Sequence, residues 1–454
     1  MSALVGAVEL ALASALRAGA AAADAVAVEA DSLETRVRGD EIDFVKQARE
    51  RKLGVRALVR GARGTRSAIT STSDLGESAV RAIAAEAVAL ARATAEDPAA
   101  GLPDGGFADP AALPDLALGD PADRGVSAES LIAAARSAER AARDVDPRIE
   151  NSEGSSAASS FAQIAYASSA GFTGSYASAS HSLFAEPIAR ANGHMQRDYW
   201  ISAARTLTAL ESPEAVGRRA AERALRRLGG RSVPTCEVPV IFDPLTAASL
   251  WGQVAALVSG YAVYRGTSYL ADQLGEAIAS ERVTLTDDAR RPGGLGSRPF
   301  DGEGLPSRRT AVIERGRLAS YLLDTYSARK VGGSSTGSAT RSASSPPGVG
   351  TTNLGLTPGD ASLDEIIADT RRGLLVTELI GMGFNPTTGD YSRGAAGLWI
   401  ENGAIAHPVE EITIAGNFAD MLRGIDAIGS DMLWLSRIGS PSVRIARMTV
   451  AGQG

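Results

Sequence analysis

The sequence predicts an α+β fold in two domains, with residues 1–230 as an N-terminal unit of helices and antiparallel strands and residues 231–454 as a β-rich C-terminal unit. Three observations predict it. A chain of 454 residues exceeds what one ordinary core organises. In the first half, helical apolar stripes flank segments that alternate apolar and polar residues in the order helix, strands, helix. In the second half, short alternating segments separated by Gly and Pro dominate, and one long apolar stretch stands out among them.

The elements follow in order. Residues 2–19 carry an apolar helical stripe ended by Gly19. "DAVAVEADS" (24–32), "LETRVRG" (33–39) and "KLGVRALVRGARGTRSAIT" (52–70) alternate as strands, with Gly61 and Gly64 placed for a hairpin turn. An Ala-rich helix is predicted from about Asp74 to Ala95, with Ser73 or Asp74 as its cap. Residues 96–125 are dense in Pro and Gly and read as an extended connection. A second long helix opens after a Ser127 cap and runs to about Val145. Residues 149–189 are rich in Ser, Ala and Gly and alternate weakly, as close-packed strands would. Pro213–Leu228 is a helix closed by Gly229 and Gly230. Beyond it lie "PLTAASLWGQVAALVSGYAVYRGTSYL" (244–270), read as one buried helix, and strands at 282–288, 373–381, 395–416 and 442–452. A hairpin at 309–324 turns at Glu314-Arg315-Gly316. Residues 332–347 read as a mobile Gly/Ser loop, a place where a substrate flap could form.

Composition narrows the function classes. The net charge of −7 argues against a basic nucleic-acid footprint. The arginines of "RRAAERALRRLGG" (218–230) fall on helical spacing and read as a solvated face. One cysteine, Cys236, excludes an internal disulfide and a cysteine metal cluster. The N-terminal stripe includes Glu9 and Arg17 and lacks a basic leader, so it reads as an amphipathic helix rather than a signal peptide. No apolar run reaches the ~18 residues of a membrane span. A cytoplasmic protein is expected, with no nucleic-acid or membrane partner.

Candidate chemistry is sparse. His181, His194 and His407 lie in separate segments with no metal-ligand spacing. "VGGSSTGSATR" (331–341) lacks the glycine-lysine spacing of a phosphate loop. Cys236 lies between Pro234 and Pro239, with no histidine near in sequence and no helix N-terminus to activate it. "MQRDYWISAAR" (195–205) and "FNPTTGDYSRGAAGLWIENG" (384–403) gather polar residues among small ones. There Asp198, Tyr199, Asp390 and Arg393 are candidates for substrate or interface contact, and each aspartate is expected to pair with a nearby arginine in a buried network.

Four stretches then carry a resemblance: "MQRDYW" at Met195, "FDPLTAASLWGQVAALVSGYAVYRGTSYLADQLGE" at Phe242, "LASYLLDTYSARK" at Leu318 and "FNPTTGDYSRGAAGLWIENGAIAHPVEEITIAGN" at Phe384. With them the chain resembles the TldD/PmbA family, once called modulators of DNA gyrase, and within it the PmbA (TldE) branch. In the TldD branch the matching helix carries H-E-x-x-x-H, whose histidines bind a catalytic metal and whose Glu is the general base, and a distal cysteine completes the site. Aligned on "GTS" (266–268), Trp251 and Ala256 stand where the histidines would be and Gly252 where the Glu would be. "GIDAIGSDMLW" (424–434) occupies the region of the distal cysteine and has none. The resemblance therefore implies a metal-free chain with no catalytic residue of its own. It would pair with a TldD-type subunit that holds a zinc-type metal, and the heterodimer would degrade or process unfolded peptides. A stand-alone homodimeric peptide-binding or scaffolding protein fits the same lost motif. The acidic charge and the lack of a DNA-binding motif give direct action on gyrase no support.

Overall fold

The structure is a computed structural model and describes residues 2–452. The first half runs α1 (Ser2–Arg17), β1 (Ala22–Arg38), β2 (Glu41–Arg60), β3 (Thr65–Thr72), α2 (Glu77–Ala93), α3 (Ala128–Arg143), β4 (Ile149–Ser168), β5 (Phe172–Ala191), β6 (His194–Arg197), β7 (Trp200–Ala204) and α4 (Pro213–Leu225). Its strands form one antiparallel sheet in the order β3-β2-β1-β4-β5-β6, with β7 also against β5. The helices cover part of one face. Leu4, Val8, Val80 and Val88 of α1 and α2 bury against Val55 and Ala25, while Leu131 and Val216 of α3 and α4 bury against Leu183 and Trp200.

The strands are longer than the alternation suggested. β1 is one strand where two were expected, and β2 begins at Glu41, not at Lys52. Residues 41–52 were illegible as strand because they are mostly exposed and charged, so no buried face imposes a period of two. β3 covers only Leu53–Arg60 of β2. Among the described residues nothing pairs with the outer edge of β2 from Glu41 to Lys52. The cap of α2 also differs. Its N-cap is Gly76, with no side-chain bond, and Asp74 Oδ1 instead accepts from Gly76 N, which closes a turn one step ahead of the helix. The Ser127 cap of α3 is as expected, accepting from Ser130 N.

The second half runs β8 (Cys236–Phe242), α5 (Pro244–Leu257), α6 (Gly260–Tyr264), β9 (Leu285–Asp288), β10 (Arg309–Glu314), β11 (Arg317–Leu318), α7 (Thr325–Val331), β12 (Ala339–Thr340), β13 (Gly348–Val349), β14 (Leu354–Leu356), α8 (Leu363–Ala368), β15 (Arg372–Ile380), β16 (Asp390–Glu401), β17 (Ala404–Asn417), α9 (Phe418–Arg423), β18 (Ile425–Ile428), β19 (Leu433–Trp434), β20 (Ile438–Ser440) and β21 (Val443–Gly452). One sheet has the order β17-β16-β15-β8-β21-β18, and β17 also pairs with β21, which closes five strands into a barrel. A second sheet has the order β11-β10-β9-β14-β20-β19. α5 lies between the two, touching β8 and β15 on one side and β14 and β20 on the other. The chain is α+β, with antiparallel pairing broken only at β8–β15 and β14–β20 among the named pairs.

Two expectations in this half give way. The stretch 244–270 is not one helix. α5 stops at Leu257, because Gly260 N turns out of the helix to donate to Leu322 O, and a Cβ on Gly260 would lie 2.5 Å from Ser327 Oγ. The loop 332–347 is not a free flap either. β12 pairs with β13, and Ser338, Ala339 and Ala343 are buried. Ala343 O sits so close to Gly54 of β2 that a Cβ there would lie 1.7 Å from it. The turn at 315–316 is as expected in place, with both Arg315 and Gly316 in the left-handed region.

Candidate functional site

α5 begins at the N-cap Asp243, whose carboxylate accepts from Thr246 N, with Pro244 in the first turn. It is a regular helix of 14 residues. Trp251 is fully buried, and its indole Nε1 donates to Ser440 Oγ at 2.9 Å. Gly252 is half-buried, with Ile438 Cδ1 3.6 Å from where a Cβ would stand, and Ala256 is exposed. Five residues turn a regular helix through roughly 500°, so positions 251 and 256 point about 140° apart. An indole N–H donor, a hydrogen and a methyl group cannot ligate a cation. Among the described residues no three His, Cys, Asp or Glu gather as a metal-binding set. These residues do not fit the family's metal. The side chain that meets Trp251 comes from Ser440 rather than from 424–434, where Asp431 is engaged by the backbone N–H and hydroxyl of Ser442.

The polar candidates converge at the first turn of α5. Asp198, Tyr199 and Arg393 line one cavity of about 330 Å³, with Leu245, Thr246 and Ser249 of α5 and Thr377, Glu378 and Leu379 of β15. Asp198 is 4% exposed; its Oδ1 accepts from Tyr199 N at 2.8 Å and from Arg223 Nε at 3.1 Å. Arg223 also donates through Nη1 to Asp243 Oδ2 at 3.1 Å and through Nη2 to Thr377 O at 3.2 Å. One guanidinium thus joins α4, the cap of α5 and β15. Burial works against its charge, but Asp243 and Asp198 outweigh burial and hold its pKa above the ordinary value. Arg227 donates to Arg197 O at 3.0 Å and pairs with Glu378, while Arg197 pairs with Glu186 at 3.0 Å. Burial raises the pKa of the Glu186 carboxyl and that of the Tyr199 phenol.

Asp390 does not join this group. It is exposed at the start of β16, where it accepts from Thr388 Oγ1 at 2.6 Å, and it makes no ion pair among the described residues. The arginines of 218–230 need a partial correction: Arg218 and Arg219 are exposed as a solvated face would be, but Arg223 is buried and the Arg227 side chain is only 12% exposed. Arg223 shares the buried face of α4 with Val216, Ala220 and Ala224, a face that the spacing of the arginines alone does not reveal.

A second buried polar cluster links the two halves. Asp24 of β1 is fully buried; it accepts from Arg56 Nε at 3.1 Å and Tyr166 Oη at 3.3 Å, and Arg341 Nη1 lies 2.5 Å from its other oxygen. Burial opposes the charge of Asp24, yet Arg341 and Arg56 outweigh it and lower its pKa. Nearby Glu303 accepts from Thr325 N at 2.9 Å and Thr325 Oγ1 at 2.6 Å. Burial, with Asp301 adding to it, lifts the Glu303 carboxyl to about 7. His181 is buried beside Asp123 and Phe161, away from His194 and His407, and burial lowers its pKa.

Comparison with known proteins places this arrangement in a lineage. Profiles described as the PmbA/TldA metallopeptidase domain 1, central domain and C-terminal domain match residues 23–91, 121–228 and 235–452. The chain is 38% identical over 416 residues to Metalloprotease PmbA of Escherichia coli, covering 92% of this chain and 89% of the relative. It is 35% identical to the Metalloprotease PmbA homolog of Haemophilus influenzae, covering 98% of this chain and 95% of that one. Among solved structures, a proposed modulator of DNA gyrase from Bacteroides thetaiotaomicron superposes with a TM-score of 0.88 at 29% identity, covering 99% and 98% of the two chains. TldE from Thermococcus kodakarensis gives a TM-score of 0.88 at 23% identity, covering 98% of this chain and 100% of that one, and speaks for the fold alone.

Proposed function

Since the chain belongs to the TldD/PmbA metallopeptidase family, we propose that it is a metal-free subunit of the TldE/PmbA type. It works beside a TldD-type subunit that holds a zinc-type metal, in a heterodimer that degrades or processes unfolded peptides. The observation that carries this reading is α5. In a family whose curated relatives are named metalloproteases, its motif positions hold Trp251, Gly252 and Ala256, and Trp251 is committed to the core through Ser440. The free edge of β2 supports an assembled state, because an unpaired run from Glu41 to Lys52 offers its N–H and C=O groups to a strand of another chain.

A second reading, a homodimer that binds or scaffolds peptides without cleaving them, has one feature in its favour. The edge of β2 carries Glu41 and Asp43 at one end and Arg49, Arg51 and Lys52 at the other, so antiparallel pairing of two copies sets acid against base. The two readings separate on metal content and peptidase activity of this chain alone and mixed with a TldD-type chain. Activity that appears only in the mixture supports the subunit reading. Stoichiometric metal with activity in the isolated chain overturns both.

A further inference from the structure

The cavity at the first turn of α5 has unmet polar capacity of a specific kind. Most charges on its wall are matched: Arg197 with Glu186, Arg227 with Glu378, and Asp198 Oδ1 with Arg223. What is left over has two signs. Arg393 interacts with the Tyr391 phenol but makes no ion pair among the described residues, and its Nε is buried without a hydrogen-bond partner. Asp198 Oδ2 is also buried without one: Arg223 is spent on Oδ1, and Arg227 Nη1 is 3.9 Å from Oδ2, too far for a hydrogen bond. Thr377 Oγ1, on a residue 4% exposed, is a third unpartnered group on this wall. Buried polar groups are nearly always satisfied, and those that are not call for a ligand, an ion or water.

We propose that this cavity binds a small zwitterion, a free amino acid or a dipeptide, whose carboxylate is held by Arg393 and whose ammonium is held by Asp198. A guanidinium suits a carboxylate because its fork matches two oxygens. The free carboxylate oxygen of Asp198 accepts an N–H and cannot donate. A purely anionic ligand would leave Asp198 unmet and meet repulsion from it; a purely cationic one would leave Arg393 unmet. Leu245 and Leu379 on the wall give an aliphatic side chain an apolar surface. A volume of about 330 Å³ lies at the small end of the ~300–1,000 Å³ of ligand pockets, which suits one or two residues rather than a longer peptide. Every group involved belongs to this chain, so binding is independent of any partner peptidase.

The test is calorimetric titration of the full chain with leucine, leucyl-leucine, N-acetyl-leucine and leucinamide. Leucine or leucyl-leucine is expected to bind, and whichever binds tighter identifies the ligand as amino acid or dipeptide. N-acetyl-leucine and leucinamide are each expected to bind at least tenfold more weakly. Arg393→Gln should erase the preference for the free acid over the amide, and Asp198→Asn the preference for the free amine over the acetylated form. Should Asp198→Asn fail to fold, because Arg223 leans on that carboxylate, Arg393→Gln alone decides. Equal binding of free and blocked forms, or no binding by any of the four, overturns the proposal.

Discussion

At the scale of single residues, the decisive groups are charges placed where water is scarce. Arg223 answers two carboxylates and a carbonyl at once. Replacing it by Met strands Asp198 and Asp243, and loss of one partner from a buried ionic group costs about 3–5 kcal/mol. The low end is expected here, since Arg227 and Arg226 stand 3.9 and 4.0 Å from those carboxylates. Urea denaturation of Arg223→Met measures the loss, and Arg223→Lys should recover only part of it, because an ammonium cannot reproduce the fork. Glu303 carries a pH dependence. Its carboxyl titrates at about 7 in the fold against 4.5 in the open chain, so the folded state holds the proton more tightly. The associated stability is fully present below 4.5 and is lost as pH rises through 7, about 3 kcal/mol in all. Asp287, lifted by burial to about 6, acts in the same direction. Glu303→Gln should therefore flatten the fall in unfolding free energy between pH 5 and 7; an unchanged slope would refute this assignment. The sequence singled out Asp198, Tyr199 and Arg393, which the fold brings to one cavity, because polar residues among small ones are conspicuous. It missed Arg223, since spacing on a helix does not say which face meets another half of the chain.

At the scale of elements, legibility tracked burial on one face. α3 and its Ser127 cap could be read because apolar periodicity and cap chemistry agree. β2 before Lys52 could not, for want of a buried face, and the end of α5 was hidden because its apolar residues run on into α6 across a break made by tertiary contact at Gly260. α5 also sets a limit on reviving chemistry. With Trp251→His, Gly252→Glu and Ala256→His together, the chain regains the letters of the family motif. One histidine then starts from a fully buried position and the other from an exposed one. On a regular helix they diverge, so no stoichiometric zinc is expected in the folded monomer by elemental analysis after gel filtration. One zinc per chain would mean that the helix widens on demand and that its regularity here is not a constraint.

At the scale of the whole molecule, the two halves are fastened by a few deep attachments that join residues far apart in the chain. Arg341 reaches Asp24, Arg329 donates to the carbonyls of Ala99 and Leu102, and Arg205 donates to those of Gly294 and Leu295. None of these was legible: Arg341 lies in a loop rich in Gly and Ser that reads as mobile until its docking surface is known, and for Arg205 and Arg329 the accepting carbonyls are far away in the sequence. The same holds for strand order: β8 sits between β15 and β21, more than a hundred residues further along the chain, a pairing that no local pattern encodes. The segment 339–345 concentrates the consequence. It lies against β2 at Gly54 so closely that a methyl group there would overlap the carbonyl of Ala343, and neither partner is a side chain that can rotate away. Gly54→Ala must displace the segment or bend the strand. Overpacking of this kind costs about 1–3 kcal/mol, and more if Arg341 is drawn off Asp24 and leaves that carboxylate facing Arg56 and Tyr166 alone. Arg341 has a side chain 1% exposed in the intact fold, so trypsin should spare it there and cleave after it in Gly54→Ala. A variant with unchanged digestion and unchanged melting would mean that 339–345 is held by something other than its seat on β2. Cleavage at Arg341 with the remaining fragments intact would show that this segment detaches alone while the attachments at Arg205, Arg223 and Arg329 still hold the two halves together.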